Sequence, residues 1–199
     1  MILFLGGHPD DESLGCGGTL ARSNDTKIGF CFTCQSAFKD MLPEMINAWN
    51  ILGLNYLFDW DQNFKHRELN RQAVLDTMIK LRNEFKPDIV FTHSSFDKHN
   101  DHQVIHQETV RAFKHSTILG YCLPWNDVMG SDYRYYKTIP SSATKQKFAA
   151  LKEYKSQEHR TYFDLEYQRS LLLVNGQQCN SLYAEKFEVI RYVDTTDNC

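Results

Sequence analysis

Short apolar runs alternate with helix-period segments along almost the whole chain, and this alternation limits the fold more than any other feature. Residues 2–7 (ILFLGG) form an apolar run closed by two glycines, which suits a strand buried on both faces of a parallel sheet. Similar runs follow at 27–34, 56–58, 88–92, 118–123, 133–139 and 187–193. Between them, residues 12–23, 42–52, 67–85, 101–114 and 143–157 read as helices. The clearest carries Val74, Met78, Leu81 and Phe85 at helical spacing, and Lys86-Pro87 ends it. Repeated strand–helix alternation predicts an α/β sandwich around a mostly parallel sheet.

The chain has 199 residues, 42% of them apolar, which is enough for one sizeable core. A single domain over residues 1–194 is expected, with a frayed tail at 195–199. Basic residues number 22 and acidic residues 25, for a net charge of -3, so nucleic acid is not an expected partner. No apolar run reaches the roughly 18 residues of a membrane span, and the apolar start is too short for a signal-peptide core, so the expected location is cytoplasmic. The six cysteines, at 16, 31, 34, 122, 179 and 199, are expected to be reduced. Cys31 and Cys34 form a C-x-x-C inside a strand-like run, where residues three apart point to opposite faces and make a poor metal or redox pair.

Chemistry concentrates in two clusters. His8, Pro9, Asp10, Asp11 and Glu12 follow the first strand, where ligands collect in open α/β sheets. One aspartate alone would read as a helix N-cap. Three adjacent carboxylates with an imidazole need a cation or a partner to offset their repulsion. The second cluster follows Thr92: His93, Asp97, His99, Asn100, Asp101 and His102, with His106 one turn on. Together the clusters offer two histidines and a carboxylate, the composition of a catalytic zinc site that leaves one position for water. His102 and His106 are four apart on one helix face, but no glutamate stands between them as in H-E-x-x-H, and His106 reads as structural.

These residues resemble the LmbE/PIG-L family of zinc-dependent N-acetylglucosaminyl deacetylases. The family's H-P-D-D-E followed by G-C-G-G matches His8-Pro9-Asp10-Asp11-Glu12 and Gly15-Cys16-Gly17-Gly18, and its H-x-D-H matches His99-Asn100-Asp101-His102. Weaker matches are Tyr154-Lys155-Ser156-Gln157 and Tyr183-Ala184-Glu185-Lys186-Phe187. The fold class expected is α/β, a Rossmann-like three-layer sandwich. The resemblance implies zinc, or another divalent metal such as Fe2+, held by His8, Asp11 and His102. It implies a zinc-held water that attacks an amide carbonyl, Asp10 as general base, a protonated His99 at the oxyanion, and Asp101 orienting His99. The implied partner is a small-molecule amino-sugar substrate carrying an N-acyl, in the first place N-acetyl, group. The spacing G-x-G-G, well after the strand, does not fit a dinucleotide fingerprint.

The match has departures. Thr33 is followed by Cys34, Gln35 and Ser36 rather than a Gly-Glu, and Met41 stands where the family has a substrate-side arginine. Arg67 and Arg134 are the candidates to replace it. Alternatives to amino-sugar deacetylation are a zinc amidase acting on another small amide, such as a thiol conjugate, and a non-catalytic sugar-binding protein on the same scaffold. The aromatic-rich residues 121–136 are suited to cover a pocket or a contact between copies in a homo-oligomer.

Overall fold

The first apolar run becomes the central strand β1 (Ile2–Gly6), buried along its whole length. In this computed structural model the described residues are 1–34, 38–56, 64–127 and 131–194. Strands β2 (Lys27–Cys31), β3 (Asn55–Tyr56), β4 (Ile89–His93), β5 (Thr117–Tyr121), β6 (Tyr135–Thr138) and β7 (Ala184–Arg191) complete a seven-stranded sheet in the order β3-β2-β1-β4-β5-β7-β6. Pairings from β3 through β5 are parallel, and β7 is antiparallel to both β5 and β6. Because two reversals cancel, only β7 runs against the rest. The expected α/β class with a mostly parallel sheet between helical layers is what the chain adopts.

Alternation along β1 builds two cores, since successive side chains face opposite sides. Phe4 packs with Trp49, Tyr121 and Tyr154 under α1 (Asp11–Arg22), α2 (Leu42–Leu52) and α5 (Ser141–Leu151). Leu3 and Leu5 pack with Val74, Met78 and Ile105 under α3 (Arg71–Phe85) and α4 (Asn100–Ala112). The crossover from β3 to β4 carries the chain from one face to the other. As a result the loops after β1 and β4, adjacent strands, open at the same end of the sheet.

Several boundaries differ from the sequence-based expectation. The second strand stops at Cys31, so strand alternation no longer separates Cys31 from Cys34. Both lie buried in one core cluster, with the Cys34 thiol donating to the Cys31 carbonyl at 3.2 Å. Neither is in a disulfide, and nor are Cys16, Cys122 and Cys179. The helix expected from 67 begins at Arg71 because the Asn70 side chain accepts the Ala73 N–H at 3.0 Å. The helix expected to 157 ends at Leu151, and Lys155–Gln157 is a separate 3-10 turn. A sixth helix, α6 (Leu165–Gln178), was not anticipated, because only Gln168, Leu172 and Gly176 of it are buried and its apolar stripe is narrow. Positions 35, 36, 57 and 58 and the tail at 195–199 lie outside the described residues. Among the described residues, no helix is long and apolar enough to cross a membrane.

Helix α1 carries the first chemical cluster, and it is kinked at Cys16 (φ -145°, ψ 20°). The kink frees a carbonyl before it and two amides after it, groups an unbroken helix would pair internally. Lys147 of α5 donates to the Leu14 carbonyl at 2.9 Å, and Glu185 of β7 accepts the Gly18 and Thr19 N–H groups at 2.9 and 2.7 Å. Lys147 and Glu185 then pair with each other at 2.8 Å, both almost fully buried. Gly15 allows the close approach, since a Cβ there would lie 2.4 Å from the Tyr121 ring. Lys147→Met removes one partner of this buried pair and strands the other. It is expected to cost about 3–5 kcal/mol, read as a lower urea midpoint by circular dichroism.

Candidate metal centre

His8 ends the turn after β1, and Asp11 opens α1. The His8 backbone N–H donates to Asp11 Oδ2 at 2.7 Å, which fixes that carboxylate against the chain tip. His102, in the first turn of α4, reaches in from the neighbouring strand end. Its Nε2 lies 2.9 Å from His8 Nδ1 and 3.6 Å from Asp11 Oδ2, and His8 Nδ1 lies 3.7 Å from the same oxygen. These three separations bracket the edge of about 3.3 Å expected of a tetrahedron with metal–ligand bonds of 2.0–2.1 Å. The two sequence clusters therefore meet at one point, on the floor of a cavity of about 370 Å³.

His102 and Asp11 carry the charge states a divalent ion needs, and His8 would give up a proton to join them. Burial and the adjacent His93 ring push His102 down to about 4, so it is neutral near pH 7 with a lone pair to give. Burial would raise Asp11, but the facing rings of His102, His93 and His8 hold it well below the usual carboxylate range. Burial would lower His8, and its Asp101 hydrogen bond together with Asp11, Asp10 and Asp101 raises it instead. Two other groupings of possible donors occur among the described residues: His93 with Asp97 and His102, all buried, of which only His102 lines the cavity, and His8 with His66, His99 and Asp101, whose three histidines line it.

Asp10 takes the N-cap position of α1, yet its side chain makes no capping hydrogen bond. It lines the cavity beside the donor set instead. Burial, reinforced by the Asp11 charge, raises it to about 7. Glu12, the third carboxyl, turns into the core, where Ser13 donates to it at 2.8 Å and the Tyr154 hydroxyl meets both it and the Pro9 carbonyl. Burial raises Glu12 to about 8.

His99 lines the same cavity and caps α4, its Nδ1 accepting the Asp101 N–H at 3.3 Å. This puts its proton on Nε2. The expected contact from the Asp101 carboxylate to His99 is not formed. That carboxylate accepts the Arg67 N–H at 2.9 and 3.0 Å and faces His66 Nδ1 at 2.8 Å and His8 Nε2 at 3.3 Å. Asp101 thus meets His99 through its backbone N–H, while its carboxylate faces His8 and His66. The expected imidazolium is corrected too: burial and the neighbouring His8 hold His99 below the usual histidine value. Burial would raise Asp101, but the His8 hydrogen bond and the Arg67 N–H hold it at about 2.

Supporting residues were only partly foreseen. Asp97 Oδ2 meets His102 Nδ1 at 2.7 Å and fixes the ring. His93 stacks on His102 at 3.6 Å between centroids and 11° between planes. Its Nε2 accepts the Gly7 N–H at 3.0 Å and lies 2.9 Å from the Tyr121 hydroxyl. His106 bonds the His93 carbonyl at 2.9 Å, so the His102/His106 pair does not chelate. His66, which contacts His8 and Asp101, came from a stretch with no motif to mark it. Of the candidate replacements for the missing arginine, Arg67 lines the cavity and Arg134 does not, being exposed and paired with Asp132.

A model of the PIG-L family, described as GlcNAc-PI de-N-acetylase, matches residues 3–113, which hold both clusters. The chain belongs to the PIG-L family. Members of this family are deacetylases, hydrolases acting on amide bonds. The uncharacterized deacetylase YaiS of Escherichia coli K12 is 30% identical over 172 residues, covering 78% of this chain and 90% of that one. The fold is shared with N,N'-diacetylchitobiose deacetylase of Pyrococcus horikoshii (TM-score 0.71, 19% identity, 100% and 88% of the two chains). It is shared equally with GalB, the 4-carboxy-2-hydroxymuconate hydratase of Pseudomonas putida KT2440 (TM-score 0.78, 19% identity, 100% and 99%).

Two outcomes follow from this geometry. Asp97→Ala frees the His102 ring and is expected to weaken metal affinity by roughly 10–100-fold, measured by competition with a chromophoric chelator. In the metal-free protein, folding lifts Glu12 from 4.5 to about 8. The folded state thus keeps a proton that the unfolded chain releases, and this contribution is intact below pH 4.5 and lost as pH rises towards 8. Glu12→Gln should therefore be more stable than the parent at pH 8, by on the order of 1 kcal/mol, with that advantage gone at pH 4 in denaturant titrations.

Proposed function

We propose that this protein removes an N-acyl group, in the first place N-acetyl, from an amino sugar or an N-acetylglucosamine conjugate. The observation that carries the reading is Asp10: a buried carboxyl with no capping bond, aimed into the cavity beside the His8–Asp11–His102 donor set. Two imidazoles and one carboxylate favour zinc, and a bound zinc ion polarises a carbonyl and acidifies water. Asp10 takes the proton of the attacking water and, with its pKa near 7, is able to return it to the leaving amine. His99 presents Nε2–H as a neutral donor towards the developing oxyanion. Asp101 holds the far edge of His8, and Asp97 the far edge of His102, so both rings keep their aim.

The cavity wall supports a ring-shaped substrate. Trp125 and Tyr162 stack at 4.4 Å and 12°, and Phe38 packs edge-on to His8 at 5.3 Å. Aromatic faces with a few placed polar groups are the ordinary make-up of a small-ligand site. Acetate release from N-acetylglucosamine derivatives by zinc-loaded protein tests the proposal. Asp10→Asn should lower kcat by about 10²–10⁴-fold while zinc content stays at the parent level, and an Asp10→Asn protein with full activity refutes the assigned base.

A further inference from the structure

Arg67 occupies a backbone conformation that its side chain makes costly. Its φ is 64°, in the left-handed region where glycine is free of strain and a residue with a Cβ is not. The needs of the backbone alone would put glycine there. The chain has an arginine instead, so the reason lies in the side chain. That side chain gives its Nε–H to His66 Nε2 at 3.1 Å.

This bond decides where His66 holds its proton. A guanidinium only donates, so His66 Nε2 accepts, and the proton of the neutral ring sits on Nδ1. His66 Nδ1 faces Asp101 Oδ2 at 2.8 Å and His8 Nε2 at 3.2 Å. The carboxylate is the closer acceptor and the charged one, so it takes the His66 proton. The Arg67 backbone N–H fixes the same carboxylate at 2.9 and 3.0 Å. Asp101 Oδ2 is thereby held 3.3 Å from His8 Nε2, as acceptor for the one proton that a metal-binding His8 keeps. A proton kept on Nε2 leaves a lone pair on His8 Nδ1, the atom that faces His102 Nε2 at 2.9 Å and Asp11 Oδ2 at 3.7 Å. The His66 ring also braces its neighbours, edge-on to His8 at 5.1 Å and stacked with His99 at 5.7 Å and 24°.

We infer that Arg67, His66 and Asp101 form a hydrogen-bond relay that sets the proton arrangement of His8 and so presents its Nδ1 to the metal, with His66 and Arg67 as positioning residues. The relay accounts for the strained backbone at Arg67 and for the placement of His66 against a donor. It also makes His66 Nδ1 a donor of a hydrogen bond rather than a ligand, so the grouping of His8, His66, His99 and Asp101 takes no second ion. The inference rests on the reading of His8, Asp11 and His102 as a metal donor set, and not on the identity of the substrate.

Heteronuclear NMR of the histidine rings in the zinc-loaded protein reads the tautomers. Expected is Nδ1–H for His66 and Nε2–H for His8, and a His66 ring protonated on Nε2 alone overturns the relay. Competition with a chromophoric chelator reads the aim of His8. His66→Leu and Arg67→Gly should each bind zinc about 10-fold more weakly than the parent. His66→Asn, whose amide supplies an N–H in place of Nδ1–H, should bind at the parent level. The double variant His66→Asn with Arg67→Gly should do so too, because an amide has no tautomer for Arg67 to choose. Metal-free Arg67→Gly should keep at least the thermal midpoint of the parent, which separates lost aim from lost folding. Unchanged affinity in His66→Leu, or an affinity lost as fully in His66→Asn, overturns the relay. So does a second zinc per parent chain that His66→Leu removes. A parent that takes up no zinc overturns the donor set, and the His66 tautomer then decides the relay by itself.

Discussion

Three consecutive carboxyl groups, Asp10, Asp11 and Glu12, are buried together at the tip of one strand, and the rest of the site is organised around making that tolerable. Unpaired buried charge is costly, so each carboxyl meets a different environment. Asp11 stays ionised because three imidazoles face it. Asp10 and Glu12 are driven towards the protonated form by burial, Asp10 in an open cavity and Glu12 in the core against Tyr154. One sequence motif thus yields an ionised carboxylate, a carboxyl held near neutrality at the cavity, and a core anchor. This splitting of adjacent acids by environment is how a single loop comes to supply groups with different protonation states.

The sequence made the sheet and the two clusters legible because their signals are local. A fully apolar strand closed by glycines declares a buried parallel strand, and His and Asp at two strand tips declare convergence once those strands are neighbours. What stayed hidden depends on long-range contacts. His66 and Lys147 carried no motif, and although Tyr154 and Glu185 stand in weak motif matches, only the fold shows that His66 meets Asp101, that Tyr154 meets Pro9 and Glu12, and that Lys147 and Glu185 meet the kink in α1. The two-residue step from His99 to Asp101 does give contact, through the Asp101 N–H, whereas the direction of its carboxylate, across the first turn of α4 to His8 and Arg67, was not legible in the sequence. Helix α6 was missed because a helix that buries few side chains leaves little periodic signal.

Fold likeness alone separates none of these chemistries, since the same sandwich is shared with a deacetylase and with a hydratase. The family match narrows the reaction, and the residues around the donor set narrow it further. Asp10 and His99 line the cavity beside the donor set, and the wall carries a stacked aromatic pair with Arg67 and Arg160. Replacing the family's usual arginine with Met41 turns that corner apolar, and Gln157 donates to the Met41 sulfur at 3.4 Å. Positive charge enters the cavity instead from the loops that carry Arg67 and Arg160.

The kink in α1 has a bearing on the order in which the molecule assembles. Every side chain of the donor set is synthesised within the first 102 residues, but the groups that satisfy the broken helix, Lys147 and Glu185, come last. A nascent chain emerging from the ribosome therefore carries both chemical clusters before it has the residues that satisfy the kink in α1. The last strand, β7, slots between β5 and β6 and brings Glu185 to the broken part of the helix that Asp11 opens, so the C-terminal end of the sheet closes over the element that carries the first cluster.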